Sequence, residues 1–162
     1  MSYVERMTMN LLDVLKGIIN TLNEQRIEYA LCGGLAMAVY AMPRATLDID
    51  IMIEAGSLDR TTQAVHDLGF ILRANPMEFQ EGKVLIHRIS KIDSNSGEVL
   101  FLDLLIVTPE TRQAWDSRLT VEWEGNALSV ISPEGLILLK SLRGSGQDQD
   151  DIRYLRSITD ED

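Results

Sequence analysis

The sequence contains one cysteine, Cys32, in 162 residues, so no internal disulfide can staple it and a reducing compartment is the expected setting. Histidine is almost as scarce. His66 and His87 stand far apart, without the accompanying ligands that would mark a zinc site. Basic residues are outnumbered, 15 Lys and Arg against 25 Asp and Glu, which leaves a formal charge of -10. That balance argues against an extended, sequence-blind grip on DNA, which needs clustered cations to neutralise phosphates, and it suits a cationic partner. No apolar run approaches the roughly 20 residues needed to span a bilayer, so no membrane partner is expected. Met1 to Asn10 carries Glu5 and Arg6 and no apolar stretch of signal-peptide length, so the expected location is cytoplasmic. Internal repeats and low-complexity linkers are absent as well.

What is present is ordinary in bulk: 45% hydrophobic and 25% charged residues exclude a disordered or collagenous chain. The length is that of one domain. Leu11, Leu15, Ile18 and Leu22 recur at steps of four, three and four, which predicts a helix from about Thr8 to Gln25. Residues Glu28 to Cys32 read as a strand, Gly33-Gly34 as a turn, and Leu35 to Ala41 as a helix. Asp48 to Glu54 reads as a strand whose first half opens onto a site and whose second half is buried. A helix capped at Ser57-Leu58-Asp59 is expected to run to Leu68 and stop at Gly69. Strands follow at Phe70 to Arg73, Val84 to Ser90 and Glu98 to Val107. Thr108-Pro109 opens a helical turn, and a hairpin is expected around Gly125-Asn126. Ser132-Pro133-Glu134 starts the first of two closing helices, which break at Gly144-Ser145-Gly146. The fold class is therefore α/β (α+β): a mixed β-sheet with flanking helices and a short C-terminal helical segment. One domain over 1–162 is expected, with an N-terminal helix in 1–26, a mixed sheet core in 28–131 and helices in 132–158.

The chemistry concentrates in Asp48-Ile49-Asp50. On a strand, side chains at i and i+2 share a face and their α-carbons lie roughly 6.6 to 6.8 Å apart, so the two carboxylates converge while Ile49 faces the core. Asp103 is a lone acid in the apolar run Val99 to Ile106, where an unpaired charge is costly. Either an Arg compensates it or it joins the other acids. Three carboxylates together would repel by about 4 kcal/mol per pair at roughly 4 Å and an effective dielectric near 20. A divalent cation turns that repulsion into ligation, and an all-oxygen ligand set favours Mg²⁺ or Mn²⁺ over zinc. Two such ions, about 3.5 to 4 Å apart, activate an attacking oxygen and neutralise a leaving one. Upstream, the Gly33-Gly34 turn lets backbone N–H groups approach phosphate oxygens.

Taken together, Cys32-Gly33-Gly34-Leu35-Ala36, Arg44-Ala45-Thr46-Leu47-Asp48-Ile49-Asp50, the distant Asp103, Leu139-Lys140-Ser141 and Asp148-Gln149-Asp150-Asp151-Ile152 resemble the DNA-polymerase-beta-type nucleotidyltransferase superfamily. The fuller pattern is similar to small prokaryotic nucleotidyltransferase-like proteins related to the AbiEii toxins and to minimal nucleotidyltransferases. The resemblance spans roughly Glu28 to Leu155 and implies a nucleotidyltransferase fold. It implies that Asp48, Asp50 and Asp103 hold the metal ions, that Gly33 and Gly34 contact a nucleoside triphosphate, and that Lys140 and Asp151 belong to a C-terminal motif important for activity. Gln149 departs from the Lys or Leu frequent there in relatives, and Asp150 adds a third acid. The implied reaction moves a nucleoside monophosphate from the triphosphate to a hydroxyl acceptor and releases pyrophosphate. Asp103 would help deprotonate the acceptor, with Lys140 or Arg44 steadying the triphosphate.

Blander roles stand beside these. Asp48 and Asp50 also suit a solvated strand end, Arg44 an anchor for the turn before the strand, and Lys140 a stem snorkelling from an apolar helix face. Arg143 can assist Lys140. Asp148 reads as a helix cap. The acceptor remains open among an RNA end, a protein and a small molecule. An alternative function is a binding or toxin–antitoxin partner with little or no catalysis, completed by a partner protein.

Overall fold

The structure is a computed structural model and describes residues 3–40, 48–94, 96–143 and 146–159. Among these residues the chain forms eight strands and six α-helices. No helix in them is long and apolar enough to cross a membrane.

Helix α1 (Tyr3–Glu24) starts five residues before the expected Thr8 and buries Leu11, Leu15, Ile18, Ile19 and Leu22, the stripe set by the 3.6-residue period. Strand β1 (Ala30–Cys32) is short and wholly buried, and helix α2 (Gly33–Val39) begins at the glycine pair itself rather than at Leu35. Strand β2 (Asp48–Ile53) runs antiparallel to β1 and parallel to β6 (Val99–Ile106). Between them in sequence lie α3 (Leu58–His66), β3 (Leu72–Arg73), β4 (Met77–Phe79) and β5 (Val84–Ile92). Then come α4 (Arg112–Asp116), β7 (Leu119–Trp123), β8 (Asn126–Val130), α5 (Pro133–Arg143) and α6 (Gly146–Thr159). The sheet order is β3-β5-β6-β2-β1-β8-β7, with β4 also pairing with β5, so strands distant in sequence lie side by side at its centre.

That central arrangement separates two chemistries. Ile49, Ile51 and Ile53 stand in register with Leu102, Leu104 and Ile106 and form a fully apolar face of β2 and β6. The intervening positions, turned the other way by the two-residue period, include Asp48, Asp50 and Asp103.

Several local expectations give way to tertiary context. Phe70 is not in a strand; it is buried in the core, and pairing with β5 starts only at Leu72. The expected sequence pattern contained no β4, because Met77-Glu78-Phe79 is short and solvent-facing, and only the edge of β5 makes it a strand. Ser57 makes no side-chain capping bond to α3; a 3-10 turn over Ala55–Ser57 leads into the helix instead. The β7–β8 hairpin turns on Glu124-Gly125, not Gly125-Asn126: Trp123 pairs with Asn126, and both turn residues have positive φ (53° and 79°), as a type I′ turn requires. Ser132 does cap α5, its Oγ accepting a hydrogen bond from the Gly135 N–H at 3.0 Å.

Candidate active site

The parallel register of β2 and β6 places Asp50 directly beside Asp103, with Asp48 one pleat away on the same face. Adjacent strands are only about 4.8 Å apart, so the three carboxylates share one mouth. On the other side of β2, the antiparallel register sets Cys32 against Asp50, so the strand feeding the glycine pair ends beside the acids.

Gly33 sits beneath Asp50 with φ at +74°, and a Cβ built on it would stand 2.6 Å from Asp50 Cγ. The position therefore excludes every side chain twice, by conformation and by contact. The Asp50 carboxyl is pushed up to about 7, chiefly by burial and then by the neighbouring charges of Asp103 and Asp48; Arg143 and Lys140 oppose this less strongly. Asp48 is raised too, mainly by burial and then by Asp103, with Arg88 pulling it back. The Cys32 thiol is pushed well above its ordinary range by burial, with Asp50 the next cause.

Asp103 has its own cation. Arg88 lies opposite it in the antiparallel β5–β6 register and forks onto it, Nε to Oδ1 at 2.8 Å and Nη2 to Oδ2 at 2.9 Å. The same Nη2 is 3.9 Å from Asp48 Oδ2, and the guanidinium lies 4.5 Å from the Phe101 ring centre. Arg88 is not among the residues that the sequence singles out; it stands with His87 between Ile86 and Ile89, and nothing nearby in the chain marks it as a partner of Asp103.

Lys140 does not snorkel to solvent. It is 4% exposed and its Nζ lies 3.0 Å from Asp151 Oδ2 and 3.8 Å from Asp148 Oδ1, so helix α5 is tied to α6 by a buried ion network. Asp148 is more than a helix cap: it is buried in the first turn of α6, with Arg143 Nε 3.5 Å from its Oδ2. Tyr154 ties α6 to the end of α2, donating from its hydroxyl to the Tyr40 carbonyl at 2.9 Å. Arg44 and Thr46 lie outside the described residues.

The glycine pair, the three acids, Arg88, Lys140, Arg143 and Asp148 line one cavity of about 400 Å³. Gly33, Gly34 and the three acids form one part of it, Lys140, Arg143 and Asp148 another, and Met77, Phe79 and Ile86 an apolar wall. The donor chemistry suits a divalent cation, since three hard carboxylates open into one mouth, where burial first and their mutual charge second raise Asp50. The arrangement is not a finished coordination sphere. Among the described residues, no three His, Cys, Asp or Glu side chains stand ready to hold a metal ion, and both oxygens of Asp103 are engaged by Arg88.

No protein-family model matches the chain. No curated protein matches it by sequence. Solved structures do. The antibiotic-resistance factor ANT(2″)-Ia superposes with a TM-score of 0.65 at 15% identity, over 93% of this chain and 85% of that one. A candidate nucleotidyltransferase from Thermotoga maritima gives 0.61 at 16% identity, over 93% of both chains. JHP933 from Helicobacter pylori gives 0.56 at 18% identity, over 96% of this chain and 68% of that one. The architecture of this chain, a mixed sheet with flanking helices, is thus the nucleotidyltransferase fold.

Proposed function

From that fold, we propose that this chain is a metal-dependent nucleotidyltransferase, moving a nucleoside monophosphate from a nucleoside triphosphate to a hydroxyl acceptor with release of pyrophosphate. The observation that carries the reading is the meeting of Asp48, Asp50 and Asp103 at the rim of one cavity, against the side-chain-free surface of Gly33.

Asp48, Asp50 and Asp103 would hold Mg²⁺ or Mn²⁺, which when bound supplies charge neutralisation for the attacking and leaving oxygens. Gly33 and Gly34 line the same cavity as Asp50 and would contact the triphosphate there. Lys140 and Arg143 put positive charge on the wall facing it; Asp151 and Asp148 hold them in place. Asp103, once released from the Arg88 fork, would help deprotonate the acceptor hydroxyl. The acceptor oxygen then bonds to the α-phosphorus as the α–β phosphoanhydride breaks, and pyrophosphate departs. Positioning and electrostatics supply most of the acceleration in such transfers.

A small hydroxylated molecule is the acceptor class that best suits a cavity of about 400 Å³ in a chain of charge -10. ANT(2″)-Ia, which shares the fold, has been crystallised with adenylyl-2″-tobramycin, a nucleotidylated small molecule. A second reading, a binding or toxin–antitoxin partner with little turnover, draws support from one observation: Arg88 already occupies Asp103.

The test is thermal. Mg²⁺ with a nucleoside triphosphate should raise the melting temperature, and Asp48→Asn should abolish the rise. Equal shifts in both proteins would remove the assigned site. Incubation with each labelled triphosphate in cell extract then identifies the labelled acceptor as RNA, protein or small molecule; no label from any of them favours the second reading.

A further inference from the structure

We infer that Arg88 is the resident counter-cation of this site, and that a divalent ion gains Asp103 only by displacing its guanidinium. The inference rests on the metal-dependent reading above and adds a competition to it. Asp103 is buried, and a buried carboxylate is costly unless paired. Both its oxygens are taken by one fork, at 2.8 and 2.9 Å, geometry that the β5–β6 register builds in by facing Arg88 with Asp103. Nη2 leans across the mouth to within 3.9 Å of Asp48, so the guanidinium reaches toward the space between two of the three acids. Among the described residues, the other cations lining the cavity already face acids of α6, Lys140 with Asp151 and Arg143 with Asp148.

Arg88 is also able to leave. Its side chain is 32% exposed and it lines the cavity, stacked on the Phe101 ring at 4.5 Å. A guanidinium released from Asp103 turns its charge toward the cavity, where the triphosphate would sit. Metal alone therefore binds weakly, because it must exchange one cation for another, and triphosphate strengthens metal binding by giving the displaced arginine an anion. The coupling is reciprocal by linkage.

The experiment measures Mn²⁺ binding without nucleotide, by water-proton relaxation, in the wild-type chain, Arg88→Met and Asp48→Asn. Arg88→Met should bind Mn²⁺ at least tenfold more tightly than wild type, and Asp48→Asn more weakly. Where Arg88→Met folds poorly, the same comparison is made by thermal shift: a fixed Mn²⁺ concentration should raise its melting temperature more than it raises that of wild type, with Arg88→Lys between the two. Mn²⁺ binding that depends on Asp48 but is unchanged or weakened in Arg88→Met overturns the competition alone and leaves the metal site standing. Mn²⁺ binding by neither wild type nor Arg88→Met, or binding indifferent to Asp48→Asn, overturns the metal-dependent reading together with it.

Discussion

Gly33 lies so close under Asp50 that a β-carbon at the glycine would stand 2.6 Å from the carboxylate carbon and 2.7 Å from the aspartate Cβ. The pair couples the end of β1 to the acid strand, and neither position can change size without moving the other. Both residues line the same cavity.

Gly33→Ala should therefore cost both stability and binding. The left-handed φ alone costs roughly 1–2 kcal/mol for a residue with a Cβ, and the contact with Asp50 adds to it. Gly82→Ala is the control, since its φ is +86° but nothing lies within 4 Å of its added Cβ. Urea denaturation should show a larger loss for Gly33→Ala, and only that variant should lose the thermal shift with Mg²⁺ and triphosphate.

The raised carboxyl of Asp50 makes a pH prediction. Its value is 3.8 in the reference state and about 7 in the fold, so between those values the native chain holds a proton that the unfolded chain has released. Its contribution to stability is complete below about pH 3.8 and is lost as pH rises through about 7. Metal-free protein should lose melting temperature from pH 5 to pH 8, Asp50→Asn should flatten that slope, and Mg²⁺ should stabilise the wild type more at pH 8 than at pH 6. A slope unchanged in Asp50→Asn would refute the assignment.

Lys140→Met should unsettle the α5–α6 contact by removing the cation whose Nζ lies 3.0 Å from the fully buried Asp151. Breaking a buried pair from one side costs about 3–5 kcal/mol. The double variant Lys140→Met with Asp151→Leu should recover much of that loss in urea denaturation. Failure of the double variant to recover any would mean the network is held mainly by Asp148 and Arg143.

Cys32 should resist thiol reagents in the native state. Burial, then the charge of Asp50, pushes its thiol well above the ordinary range, although the residue lines the cavity. Labelling by a disulfide reagent at pH 7.5 should follow global unfolding, with Cys32 modified at the rate at which denaturant opens the chain. Rapid labelling of the folded protein would contradict the burial.

Much of the architecture was legible because it depends on local periodicity. The α1 stripe and the β2 and β6 segments follow from spacing, and Gly69 takes the left-handed conformation expected of it, although α3 itself ends at His66, two residues before the expected Leu68. Segments whose state depends on a neighbour were not legible. Met77–Phe79 becomes a strand only because β5 offers it an edge, and Phe70 leaves the sheet because the core takes its ring. Lys140 looked able to reach water from an apolar helix face, yet α6, a separate segment, buries it against Asp151.

The two-residue pleat alone put Asp48 and Asp50 on one side of a strand, and the apolar run around Asp103 alone required that this acid find a compensating charge. Which charge it found was decided by the register of β5 on β6 and of β2 on β6, because pairing between distant segments is set by the packing of whole faces and not by residues near in the chain. That register brought Asp50 and Arg88 to opposite sides of Asp103, so the chain alone named the acids and the folded sheet supplied the arginine that competes for one of them.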